Sequence, residues 1–189
     1  LDNLGFKQLK ISVNLSASQF LDPDLLPFLR EQIKAFSRNP AQIELELTER
    51  TLVADVEQTL DTMRQIKQLG FIFSIDDFGT GYSSLSYLKQ MPVDIIKIDR
   101  SFVSGMSDNS ADMQIVSSTI AMVQKLGMQV VAEGVETSEH MRLLQDLNCE
   151  IGQGYFISRP IAESELYTLL PEKIQYGVWD KLDKLNTKP

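Results

Sequence analysis

The 189-residue chain has one cysteine, Cys149, and one histidine. A single thiol cannot close an internal disulfide, so the sequence fits a reducing compartment, and Cys149 reads as a small buried apolar residue. So few nitrogen and sulfur ligands argue against a zinc site of the usual kind. Basic charge is also scarce, with 18 Lys and Arg against 26 Asp and Glu, a net charge of -8. That balance argues against a DNA- or RNA-binding surface, but leaves a small phosphate ligand open, because bound metal reverses the local field. No run approaches the ~20 apolar residues of a membrane helix, and no secretory pattern opens the chain. A cytoplasmic location is expected. The chain starts at Leu1 in what reads as the middle of an element, so a membrane-anchored parent stays open.

What is present suits one sizeable globular domain, with 43% hydrophobic and 23% charged residues. KISVNLS reads as a strand with Ile11, Val13 and Leu15 on one face. Asp22-Pro23 starts a helix with Leu25, Leu26, Leu29, Ile33 and Phe36 at helical spacing. IELELTE is a second strand, and the helix after it carries Val56, Leu60, Met63, Ile66 and Leu69, closed by Gly70. FIFSIDD, VDIIKID, MQVVAEG and CEIGQGY supply further strands. One helix starts at Asn109 or Ser110 and ends before Gly127; another starts at Thr137, and a last short one spans residues 164–170.

Strand and helix alternate, which means parallel strands joined by crossover helices. Strands of a doubly wound sheet are usually apolar on both faces. Here several carry a polar face to their C-terminal ends, which suits a barrel interior. A full barrel takes about 250 residues and eight strands, against about six here. The expectation is a TIM-like barrel domain over residues 1–171, incomplete at its N-terminal side, with residues 172–189 as a tail or appended helix. Its open strand edges would invite pairing with another chain.

The stretch FIFSIDDFGTGYSS organises the rest, because an apolar strand ends on two adjacent carboxylates and passes into a glycine-containing loop. Neighbouring buried carboxylates are costly without a cation, so the pattern suggests a divalent metal; alone, it suits a solvated turn better, with Asp capping the next helix. FGTG lacks the Gly-Lys-Ser/Thr of a nucleotide P-loop. Barrels place their sites at the C-terminal ends of the strands, and those ends carry Asn14, Glu46, Asp76 with Asp77, Lys97, Glu133 and Gln153. Singly, Lys97 suits a surface ion pair, Glu133 a solvated strand end, and Asn14 and Gln153 partners for backbone groups. Jointly they form an oxygen-rich set suited to Mg²⁺ or Mn²⁺, and paired ions of this kind serve phosphoryl hydrolysis.

SVNLS (12–16), ELTE (46–49), DDFGTGYSSLSYL (76–88), KID (97–99), AEGVE (132–136) and QGY (153–155) resemble the motif series of the EAL-domain family, bacterial phosphodiesterases of cyclic di-GMP. The resemblance runs over residues 10–160. It implies a modified (β/α)8 barrel, two Mg²⁺ or Mn²⁺ ions and opening of cyclic di-GMP to linear pGpG. Asn14, Glu46, Asp76 and Glu133 resemble its metal ligands, with Asp77 at the second ion. Lys97 resembles the lysine that positions or polarises the attacking water, and Gln153 a further active-site group; Lys97, Glu133, Asp77 and Gln153 are the catalytic candidates. Glu49 resembles the glutamate anchoring the loop Phe78, Gly79, Thr80, Gly81, Tyr82 and Ser83, through which the family implies a homodimer. Ile157 stands where the family usually has Phe. The Glu-Ala-Leu signature and one or two strands that carry it are absent and would lie upstream, where the resemblance also leaves room for a fused sensor or GGDEF domain. The expectation is a phosphodiesterase whose 189-residue portion turns over weakly or not at all. The alternative is a receptor that binds cyclic di-GMP without cutting it.

Overall fold

The computed structural model describes residues 9–36, 39–53, 56–81, 88–107 and 110–168. Among them are strands β1 (Ile11–Asn14), β2 (Ile43–Thr48), β3 (Ile72–Phe78), β4 (Ile95–Ile98), β5 (Gln129–Glu133) and β6 (Ile151–Gln153). The helices are α1 (Ala17–Phe20), α2 (Leu25–Phe36), α3 (Val56–Gln68), α4 (Arg100–Gly105), α5 (Ser110–Lys125) and α6 (Ser138–Asp146). Sheet order is β1-β2-β3-β4-β5-β6, and the pairs β1–β2, β2–β3, β3–β4 and β5–β6 run parallel. Contacts divide the chain into two compact units, Leu1–Asp99 with Ala121–Val130, and Arg100–Ile120 with Val131–Pro189.

In the first unit, period-two alternation sorts β2 and β3 into two faces. Leu45, Leu47, Phe73 and Ile75 are buried in the core, together with Leu60, Met63 and Ile66 from the apolar stripe of α3. Gly70, at φ +98°, ends that helix in a conformation that costs glycine little. Phe20 of α1 meets Phe73 edge to face, with centroids 6.3 Å apart. Below β3, Asp94 ties three segments together. Its carboxylate accepts from Lys67 Nζ at 2.7 and 2.8 Å and from the Phe73 amide at 2.9 Å. Its backbone oxygen accepts from the Gln129 amide at 2.8 Å.

Several local expectations change. The helix expected from Asp22-Pro23 begins at Leu25, because Asp22 Oδ1 accepts from the Asp24 amide in a turn first. Helices α1 and α4 were not expected, being too short to show a 3.6-residue period. Ile11, Val13 and Phe36 are exposed, at 54%, 42% and 65%. They flank or line an apolar groove of about 310 Å³ beside β1 and α2, so these faces are read correctly as apolar but are not packed. The last helix begins at residue 163; its expected end and the tail lie outside the described residues.

In the second unit, Val131 and Ala132 of β5, Val116 and Ile120 of α5, and Met141 and Leu144 of α6 are buried. Cys149 is buried too, and burial pushes its thiol up to about 11. The backbone of Gly154 runs so close to Val135 that a Cβ there would fall 2.2 Å from the Val135 carbonyl oxygen. No helix among the described residues is long and apolar enough to cross a membrane.

Candidate functional site

The polar face of the first unit is built by register. Asn14 pairs with Glu46, Glu46 with Ser74, and Thr48 with Asp76. Parallel partners point to one side of a sheet, so β2 and β3 deliver Glu46 and Asp76 to the same face in successive steps. Lys97 joins them from β4. Its Nζ lies 3.0 Å from Glu46 Oε1 and 3.5 Å from Asp76 Oδ1. Lys97 and Glu46 are only 4% and 6% exposed. Two buried charges of opposite sign in contact offset much of each other's desolvation, which neither could bear alone. Asn14 is exposed at the end of β1.

Alternation alone would send Asp76 and Asp77 to opposite faces. The structure breaks it. Ile75 pairs with Ile96 but Phe78 pairs with Ile98, leaving one extra residue on β3. Asp77 takes up that bulge at φ +54°, a left-handed conformation that Asp tolerates better than most residues. Strand β3 therefore continues through buried Phe78, beyond the Asp pair where the sequence suggested it ends. Asp76 Oδ1 accepts from the Asp77 amide at 3.0 Å, and carboxylate oxygens of the two lie within 4.8 Å of each other.

Burial raises the Asp77 carboxyl above its ordinary pKa, and the charges of Asp76 and Asp99 and a hydrogen bond with Asp99 add to the effect, while Lys97 opposes it. Asp99 was not singled out from the sequence. The signal was there: it stands two residues after Lys97, the spacing that returns a strand to the same face. Behind the bulge, Glu49 Oε2 accepts from the amides of Gly79 at 3.2 Å and Gly81 at 3.1 Å. Thr80 closes the turn on the Asp77 carbonyl. Tyr82 and Ser83 lie outside the described residues.

The second unit carries its own cleft, about 190 Å³, lined by Arg100, Glu133, Glu136, Gln153 and Tyr155 among others. Register places Glu133 beside Gln153, and Gln153 Nε2 donates to Glu133 Oε1 at 3.3 Å. Arg159 stacks over the Tyr155 ring at 4.5 Å. Glu136 is the second residue the sequence reading passed over, although it stands inside the AEGVE motif. Among the candidates, then, Glu46, Asp76 and Lys97 meet, Asp77 joins Asp76 and Asp99, and Glu133 meets Gln153. Chemically, the first cluster offers hard oxygen donors with a buried ammonium, and the second an amide and carboxylates in an open cleft.

A family model described as "EAL domain" matches residues 1–160. The chain is 40% identical over 166 residues to the Cyclic di-GMP phosphodiesterase NbdA of Pseudomonas aeruginosa, covering 88% of this chain and 21% of that protein. It is likewise 40% identical over 162 residues to the Bifunctional diguanylate cyclase/cyclic di-GMP phosphodiesterase MucR of the same organism, covering 86% of this chain and 24% of that protein. The chain thus spans less than a quarter of the length of these relatives. Among solved structures, the PaMucR phosphodiesterase in complex with c-di-GMP matches with a TM-score of 0.83 and 40% identity, over 87% of this chain and 66% of that one. The manganese/cy-diGMP complex of Klebsiella pneumoniae BlrP1 matches with a TM-score of 0.76 and 32% identity, over 84% of this chain and 41% of that one. The chain shares the α/β, TIM-like fold of these proteins.

Proposed function

The chain belongs to the EAL-domain family, and from that premise we propose that it is a metal-dependent phosphodiesterase domain that opens cyclic di-GMP to linear pGpG. The observation that carries the reading is the buried Lys97 ammonium held between Glu46 and Asp76 on one polar sheet face. A purely structural strand face has little reason to bury Lys97 and Glu46 there beside a third, half-buried charge, Asp76.

The donor chemistry fits divalent metal. All the donors are oxygens, and the pairing of Asp77 with Asp76 and Asp99 leaves like charges crowded together, a repulsion that a divalent cation relieves. In the first unit Asn14, Glu46 and Asp76 would hold one ion and Asp77 the second, and Glu133, in its own unit, is a further oxygen ligand candidate. When bound, Mg²⁺ or Mn²⁺ lowers the pKa of water and neutralises phosphate charge. The residues of the chain do the rest. Lys97, fixed by its two carboxylates, supplies a positive charge that orients a water or a phosphate oxygen. Water adds to one phosphorus, the bond to the ribose 3′-oxygen breaks, and that oxygen takes up a proton. Gln153, hydrogen-bonded to Glu133 within its own unit, is a further group of the reaction in this reading. Glu49 holds the loop after Asp77, and a homodimer through that loop belongs to the same reading.

The test mixes the purified chain with cyclic di-GMP and Mn²⁺ and follows nucleotides by chromatography. Binding with slow formation of pGpG is expected, lost on Lys97→Met. Tight binding with no pGpG, both from this chain and from a longer one that carries the Glu-Ala-Leu segment upstream, would favour a receptor, and absence of binding would overturn both readings.

A further inference from the structure

The only histidine of the chain, His140, lies 7% exposed at the third position of α6, and no step above uses it. Thr137 caps this helix, its Oγ1 accepting from the His140 amide at 3.1 Å. In the common reciprocal cap, a Glu or Gln at the third helical position reaches back to a backbone amide before the helix. Here an imidazole does so. The amide of Glu136, one residue before the cap, donates to His140 Nδ1 at 3.4 Å. Only the neutral ring with its proton on Nε2 can accept there.

That bond completes a pair of sutures on the loop that follows Glu133 at the end of β5 and carries Glu136 into the cleft. On one side the Val135 amide donates to the Gln153 carbonyl at 3.0 Å, and the Phe156 amide to the Val135 carbonyl at 2.9 Å. Gly154 presses against the Val135 backbone, so this side has no slack. On the other side, the hydrogen bond from Glu136 to His140 ties the loop to α6. Glu136 is exposed and lines the cleft, so its placement depends on its backbone more than on packing around its side chain.

We propose that His140 is a positioning residue of the cleft, its imidazole fixing the Glu136 backbone so that Glu136 meets the substrate in one orientation. The inference rests on the phosphodiesterase reading for its substrate, cyclic di-GMP, but not for the hydrogen bond itself. Ordering contacts of this size are each worth little in isolation, so the effect belongs in affinity rather than in loss of chemistry.

Two variants of the whole chain, His140→Leu and His140→Gln, separate the roles. Gln keeps an acceptor on a flexible stem; Leu keeps bulk without one. In His140→Leu the Glu136 amide should lose its protection from hydrogen exchange, and the KM or Kd for cyclic di-GMP should rise about three- to tenfold with kcat little changed. His140→Gln should restore both. A merely structural cap would lower Tm and leave affinity at the wild-type value, which overturns the proposal. So would wild-type protection of Glu136 in the Leu variant, or a folded Gln variant that restores neither readout. If His140→Leu does not fold, the Gln variant decides alone by the same two measurements. If the wild-type chain fails to bind cyclic di-GMP, the functional reading fails, while the exchange measurement still decides whether His140 holds the loop.

Discussion

Asp77 sits at the point where strand geometry and charge conflict. The bulge that brings it beside Asp76 requires φ +54°, and desolvation, followed by the charges of Asp76 and Asp99, raises its carboxyl pKa. A raised folded-state pKa means that the native state holds the proton more tightly than the unfolded chain does. Stability contributed in this way is present at low pH and lost as pH rises through the folded-state pKa. Asp77→Asn keeps a residue that tolerates the left-handed backbone and removes the charge. In metal-free protein we expect this variant to melt higher than wild type at neutral pH, and the difference to vanish in acid. Thermal melts at several pH values measure it. A variant less stable than wild type at neutral pH would contradict this account of the site. Activity should fall in the same variant, a trade between stability and function common at charged sites.

At the scale of elements, the legible features were those with several residues repeating in phase. The stripe of α3 and the alternation of β2 were read from sequence with the right faces. Helices α1 and α4, at four and six residues, lacked enough length to show a period. The bulge in β3 was illegible for a different reason, since an extra residue shows only against the partner strand. The role of Glu49, implied in the sequence by the family resemblance alone, is a matter of neighbours: two loop amides converge on one carboxylate oxygen thirty residues away in sequence. This contact explains why Gly81 is glycine. A Cβ there would come within 2.8 Å of the Glu49 carboxyl carbon and displace it from both amides. Gly81→Ala should therefore cost about 1–3 kcal/mol, the range for leaving a buried polar group unsatisfied. Urea denaturation measures this directly, and an unchanged midpoint would show that the loop holds without its anchor.

At the scale of the whole molecule, a net charge of -8 complicates any metal experiment, because every added cation relieves general repulsion. Composition made that acidity plain and made a nucleic-acid surface a poor reading. It could not distinguish a diffuse negative field from a site. The distinction lies in how carboxylates are held: Asp76 and Asp77 are drawn together by a bulge and an amide contact, whereas ordinary surface carboxylates spread apart. Screening acts through ionic strength and should be matched by NaCl. Site binding acts by mass action and stabilises the folded state by about 2.7 kcal/mol at a hundred times Kd. For a chain of this size, that corresponds to roughly 5–10 °C in Tm. We therefore expect Mn²⁺ to raise Tm well beyond NaCl of equal ionic strength, and Asp76→Ala to remove the excess while leaving the NaCl response intact. Scanning calorimetry on the two proteins in the two salts gives all four values. Equal responses to Mn²⁺ and NaCl in the wild-type chain would mean that these carboxylates take up divalent ions only as part of the general negative field, and the metal centre would have to be abandoned.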